Sequence, residues 1–148
     1  MADPVGIIET PIRLEYNYTP GTAKSRYLRA LVEGRILGQR CPSCHKVYVP
    51  PTGSCARCGV PTPGEVDVSE AGTVTTFCVV NVPFAGQTIA VPYVSASVPL
   101  DGADTAMLHA VDAGDESRMR TGMRVRARWR LERVGHIRDI ECFEPIDG

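Results

Sequence analysis

The run Met123-Arg-Val-Arg-Ala-Arg-Trp-Arg-Leu131 alternates strictly between apolar and charged side chains, the period-two pattern of a half-buried β-strand. Val125, Ala127, Trp129 and Leu131 are expected on an inward face, with Arg124, Arg126, Arg128 and Arg130 on the outward one. Four further runs, at 72–82, 91–100, 106–111 and 136–143, are rich in β-branched and apolar residues, and no helical period interrupts them. Asp101-Gly102, Gly114-Asp115, Thr121-Gly122 and Gly135 punctuate them as turns. Five short strands in about 80 residues fit a small Greek-key barrel of the OB type.

Ahead of the barrel the period changes. Tyr27, Leu28, Leu31 and Val32 recur at helical spacing, with Thr22 placed to cap the helix and Gly34 placed to end it in a left-handed turn. Before it, Leu14, Tyr16 and Tyr18 share one face of an extended arm, suited to docking on its own domain or on a partner. The expected organisation is a mainly β chain: arm and short helix at 1–36, a rubredoxin-like zinc ribbon at 37–64, and a five-stranded OB-fold barrel at 65–148.

The ribbon rests on Cys41-Pro-Ser-Cys44 and Cys55-Ala-Arg-Cys58, two Cys-x-x-Cys pairs ten residues apart. Each pair can curl into a tight turn that aims two thiolates at one point, so Cys41, Cys44, Cys55 and Cys58 can surround one metal ion. Four soft thiolates with no open position suit a structural zinc. Iron held as in rubredoxin and disulfide pairing are the competing readings. A metal filled by four cysteines leaves no place for an activated water, which argues against a zinc-dependent enzyme.

Composition narrows the function classes less than distribution does. With 16 basic and 17 acidic residues among 148, net charge points to no nucleic-acid, membrane or acidic partner. The start of the chain has neither the basic nor the apolar segment of a secretory signal, and no run approaches the roughly 18 apolar residues of a membrane span; a soluble, cytoplasmic protein is expected. Cys78 and Cys142 lie in apolar runs, where a free thiol acts as a small buried hydrophobe.

Arg118, Arg120, Arg124, Arg126, Arg128, Arg130, Arg133 and Arg138 crowd one segment against a single acid, Glu132. The stripe has three readings: a single-stranded nucleic-acid groove, a contact for phosphates such as those of coenzyme A, and a solvated strand face. Aromatic residues in register with the arginines, which base stacking requires, are missing from the pattern. His45, His109 and His136 come with no nucleophile motif, phosphate loop or paired carboxylates, so a binding or scaffolding subunit fits better than a complete enzyme.

With these parts in order, the chain resembles the zinc-ribbon plus OB-fold proteins catalogued as domain of unknown function 35, also described as acyl-CoA-associated proteins. The resemblance runs from Tyr18 to Pro145. It is carried by Tyr18-Thr-Pro-Gly21, Arg26-Tyr-Leu28, the run 34–44 through the first knuckle, Tyr48-Val-Pro-Pro51, Cys55-Ala-Arg-Cys58-Gly59, Gly72-Thr-Val74, Pro92-Tyr-Val94, Leu100-Asp-Gly102, Gly122-Met-Arg-Val125 and Phe143-Glu-Pro145. It departs at His45, where relatives usually carry glycine, and at Cys78, where threonine is common.

The resemblance implies a non-catalytic subunit that binds and completes a thiolase-superfamily enzyme, either a thiolase or a lipid-transfer-protein-like aldolase acting on CoA thioesters of steroid or other lipid side chains. It implies one structural zinc, a CoA thioester as ligand of the complex, and a heterotetramer or larger assembly. Tyr16, Tyr18, Arg26, Tyr27 and Leu28 are the partner-binding candidates, and Arg124, Arg126, Arg128 and Arg130 the CoA-phosphate candidates. Single-stranded nucleic-acid binding is the alternative function.

Overall fold

The computed structural model describes Gly6 and residues 13–146. An extended arm leads into α1 (Gly21–Val32), followed by β1 (Ile36–Arg40), β2 (Val47–Tyr48) and β3 (Gly64–Val68). Then come β4 (Ala71–Thr73), β5 (Thr76–Val80), β6 (Tyr93–Pro99), β7 (Ala106–Val111), β8 (Arg124–Trp129) and β9 (Ile140–Pro145). Short 3-10 turns at Glu116–Arg118 and Ile137–Asp139 precede β8 and β9.

Helix α1 buries Tyr27, Ala30 and Leu31. It ends as its sequence implies, with Gly34 at φ 73° and the Gly34 and Arg35 amides returning to Leu31 and Ala30 carbonyls at 3.0 Å each, a Schellman turn that satisfies the last carbonyls. Arg133 adds its Nε to the Val32 carbonyl at 2.9 Å. The start differs: Pro20 occupies the cap position without a side-chain bond, so Thr22 lies inside the first turn and is not the cap.

Strands β2, β1 and β3 form a small antiparallel sheet. A side chain on Gly38 would put its Cβ 2.9–3.0 Å from methyls of Val47, Val49 and Val68; only glycine leaves room for that layer to close.

The second sheet runs β4-β8-β9-β7-β6-β5. Its two edge strands, β4 and β5, are consecutive in the chain, so the run 71–80 bends at Val74 and Thr75 and joins both ends of the sheet. Gly72 bridges Leu100 across the closure, and there a Cβ would lie 2.5 Å from the Pro99 carbonyl oxygen. Counted with the bent run as one strand, this is a five-stranded OB-like barrel in which β7 and β9 are parallel and the other pairs antiparallel.

Ribbon and barrel share one core, from Tyr27, Leu31, Ile36, Val47 and Val49 to Val74, Val98, Val125, Ile140 and Phe143. The free edge at β2 is completed by a barrel turn. The Val47 amide donates to Asp104 Oδ2 and the Asp104 amide to the Val47 carbonyl, each at 2.8 Å. Thr105 Oγ1 accepts from the Val49 amide at 2.8 Å and donates to its carbonyl at 3.0 Å. These bonds pair backbone groups that would otherwise be buried without partners.

Strand β8 keeps its expected alternation only as far as Ala127. A register shift between Arg128 and Trp129, opposite Cys142 and Ile140, breaks the period of two. Trp129 is half-buried and gives its indole N–H to Glu70 Oε2 at 2.9 Å, while Leu131 lies beyond the strand, fully exposed, and not in the core. Cys142 is buried, but Cys78 is exposed because β5 is an outer strand. No helix among the described residues is long and apolar enough to cross a membrane.

Candidate metal centre

Each cysteine pair sits on a tight turn stitched by the same backbone bonds. The Cys41 amide reaches the Lys46 carbonyl and the Cys55 amide the Val60 carbonyl, both at 2.8 Å. The turn amides then point at sulfur: Ser43 and Cys44 donate to Cys41 Sγ at 3.4 Å, and Cys58 to Cys55 Sγ at 3.3 Å. Such amides stabilise thiolate charge and fix the direction of the ligands.

The four sulfurs lie within 4.8 Å of one another, and Cys44 and Cys55 are 3.6 Å apart. A tetrahedron with Zn–S bonds of ~2.3 Å has sulfur edges of about 3.8 Å, so the donor set fits zinc in number, chemistry and spacing. Cys41 and Cys55 are buried, Cys44 and Cys58 half-buried. The arrangement is closed, with four protein ligands and no carboxylate or histidine in the cluster.

Tyr48 is the member of this site that the Cys-x-x-Cys spacing does not reveal. Its hydroxyl is 3.1 Å from Cys55 Sγ, and with the Cys58 and Arg57 amides it holds the Cys55 thiol down to about 6 against the cost of burial. Cys44 behaves oppositely. The Lys46 amide favours its thiolate, but burial and the neighbouring cysteines outweigh that and push it up to about 11. Four thiolates crowd together readily only around a cation, which makes metal loading and deprotonation one event.

The β8 part of the arginine stripe is paired with acids within the fold. Arg124 forms a two-pronged pair with Asp101 at 2.7 and 2.5 Å, Arg126 meets Glu144 at 3.2 Å, and Arg128 meets Asp112 and Glu141 at 3.1 Å each. The acids come from neighbouring strands and turns and balance the charge a phosphate would need. Arg130, which lines a groove with Arg128 and Glu141, has no side-chain ion pair among the described residues. Three of the eight arginines of the stripe, Arg124, Arg126 and Arg128, are thus paired with acids of the fold.

The arm is exposed: Leu14, Tyr16 and Tyr18 are 79, 78 and 62 % accessible. Lys24 Nζ, 3.0 Å from the Tyr18 hydroxyl, is the arm's link to α1. Arg26 is exposed and paired with Glu65 at 2.6 Å, and Leu28 is half-buried. Tyr27 corrects the expectation of a partner-facing group. It is 2 % accessible, because helical spacing sets it beside Ala30 and Leu31 on the core face. Its hydroxyl is buried without a hydrogen-bond partner among the described residues, and burial raises its pKa.

Two family models match adjoining segments: the rubredoxin-like zinc ribbon domain of ChsH2 at residues 29–64 and the C-terminal OB-fold domain of ChsH2 at residues 65–130. No curated protein matches the chain in sequence. Among solved structures, one described as an Ltp2-ChsH2(DUF35) aldolase is similar with a TM-score of 0.66 and 23 % identity, covering 90 % of this chain and 98 % of that one. A DUF35-family protein of unknown function from Sulfolobus solfataricus has a TM-score of 0.60 and 20 % identity, covering 72 % of this chain and 78 % of that one. Ribbon and barrel models adjoin in the order of the fold, with the four cysteines brought together in the first, and the chain accordingly belongs to the ChsH2 family of zinc-ribbon plus OB-fold proteins, the DUF35 family.

Proposed function

We propose that this chain is a non-catalytic accessory subunit that binds and completes a thiolase-superfamily enzyme, of the lipid-transfer-protein-like aldolase or thiolase kind, acting on acyl-CoA thioesters. The observation that carries the reading is the similarity to the aldolase-associated chain over almost its full length, ribbon and barrel together. A closed four-cysteine centre agrees with it, since such a site supplies structure and leaves the nucleophile or base to the partner. A zinc ion there would hold the ribbon, and the ribbon packs against α1 in the shared core.

In this reading Tyr16 and Tyr18, bare on the arm, and the exposed Arg26 meet the enzyme, with Leu28 at the edge of the contact. Tyrosines suit that role because they bury large area at little entropic cost. The CoA-phosphate role falls to Arg130, since Arg124, Arg126 and Arg128 are paired with acids. A steroid or other lipid side chain is the substrate class that the family resemblance suggests.

The test is co-purification from the native host at moderate salt, with mass spectrometry of the eluted chains. A thiolase-fold protein in stoichiometric amount is the expected result. Elution alone, or with nucleic acid and no enzyme, overturns the reading.

A further inference from the structure

A cavity of about 350 Å³ opens where the parts of the fold meet. Tyr18 from the arm, Lys24 and Leu28 from α1, Pro50 from the ribbon, and His136 and Ile137 from the turn before β9 line it. Tyr18, Leu28, Pro50 and Ile137 make the wall mainly apolar, and no acid lines it.

Two hydrogen-bond donors belong to that lining. Lys24 Nζ is 3.0 Å from the Tyr18 hydroxyl and has no carboxylate partner among the described residues. His136 Nδ1 accepts the Arg138 amide at 3.1 Å, which leaves the ring proton on Nε2 as a donor. The helix adds to the positive side: α1 carries Lys24, Arg26 and Arg29 and no acid, and of these Arg26 alone is matched among the described residues, by Glu65.

The surroundings narrow what fills the cavity. A second copy brought to it face to face would set Lys24 and Arg29 against their like. A small molecule would leave the exposed Tyr16 and Tyr18 still bare, whereas a protein segment covers arm and cavity together. Apolar side chains seated in pockets of this kind carry most of the energy of protein interfaces.

We infer that the cavity receives an apolar side chain of the partner enzyme, beside a carboxylate of the same segment. The side chain fills the space between Leu28, Pro50 and Ile137, and the carboxylate meets Lys24. This rests on the accessory-subunit reading and adds to it the chemistry the enzyme presents.

The test uses the full zinc-loaded chain as bait in the native host. Lys24→Glu reverses the charge in the first turn of α1, where a carboxylate suits the helix dipole and the fold is kept. Leu28→Trp fills the cavity and leaves the link from Lys24 to the arm in place. Each variant is expected to capture the enzyme at least about tenfold less than wild type, at unchanged zinc content and melting. Lys24 and Lys46 are the only lysines of the chain, so a water-soluble carbodiimide reads the contact directly in the wild-type complex. It joins an amine to a touching carboxylate as an amide, and the water lost converts the carbodiimide to its urea. Mass spectrometry is expected to find Lys24 joined to an Asp or Glu of the enzyme that stands beside a large apolar residue.

Full capture by Lys24→Glu, or by a Leu28→Trp chain that melts as wild type does, overturns the inference and leaves the accessory-subunit reading standing. If Leu28→Trp shifts the melt, Lys24→Glu and the crosslink decide. A captured enzyme with Lys24 unjoined, or joined to a carboxylate of this chain, also overturns the inference. So does a small apolar acid held by the chain purified alone and absent from Leu28→Trp in native mass spectrometry. Capture of no enzyme by wild type overturns the reading, and the inference with it.

Discussion

His45 and Gly59 are equivalent residues in the two halves of the metal site. Each follows the second cysteine of its knuckle, each has a positive φ of 62° or 68°, and each gives its amide to the carbonyl of the first cysteine, at 3.0 and 2.9 Å. The repeat demands a left-handed residue at both positions. Glycine meets the demand without steric cost and histidine does not.

His45→Gly is therefore expected to stabilise the zinc-loaded protein by about 0.5–1 kcal/mol, the relieved strain less the added chain entropy of glycine. Gly59→Ala is expected to lower stability by about 1–2 kcal/mol. Urea denaturation with zinc in both samples checks the pair, and the two effects should have opposite signs.

Removing the metal should be felt beyond the ribbon. Cys41→Ser and Cys58→Ser are expected to lose stoichiometric zinc, and because Ile36, Val47 and Val49 belong to the same core as the barrel, melting of the whole chain should shift downward. Zinc analysis with thermal melting by near-UV circular dichroism reads both. Retained zinc with an unchanged melt in both variants would sink the structural role of the site.

Gly72→Ala probes the barrel closure. The added Cβ would sit 2.5 Å from the backbone oxygen of Pro99 and 2.9 Å from a Val98 methyl, and backbone cannot yield as a flexible side chain can. A loss of about 2–3 kcal/mol is expected, measured by urea denaturation against a control such as Gly64→Ala, where the backbone is not left-handed and the nearest atom to a Cβ, the Arg40 carbonyl oxygen, is at an ordinary 3.6 Å.

Acid should weaken the fold in two stages. Burial lowers the pKa of His109, which stands edge-on to Phe143 at 5.6 Å. The unfolded chain then takes up that proton first, and stability declines as pH falls below about 6.5. Asp139 comes later. Burial alone would raise its pKa, but the Val134, His136 and Gly135 amides and the His136 ring outweigh burial and hold the carboxyl below its ordinary value. Asp101, paired with Arg124, is held low too. Their contribution is intact above about pH 4 and lost below it. Comparing wild type with His109→Gln from pH 7 to 5 isolates the first stage: the variant should lose less stability over that interval.

What could be read from the chain alone was whatever depends on neighbours in sequence. The two Cys-x-x-Cys turns, the Gly34 stop of α1 and the inward Val125 and Ala127 are local patterns, and each occurs where the residues put it. What escaped depends on contacts across the fold. Leu131 left the core because a bulge formed opposite β9, and Cys78 is exposed because nothing local separates an outer strand from a central one. The arginines of β8 met acids brought by other strands and turns, at residues 101, 112, 141 and 144, and no alternation within 123–131 announces them. Tyr48 joined the metal site through a hydroxyl that no cysteine spacing announces.

The bonds from Asp104 and Thr105 to Val47 and Val49 set a condition on moving the ribbon to another scaffold. Cut out at its sequence borders, it would leave behind the turn that finishes its rim, and Val47 and Val49 would present raw amide and carbonyl groups. A working graft has to transplant the 101–105 turn with the ribbon, or supply a surrogate for it.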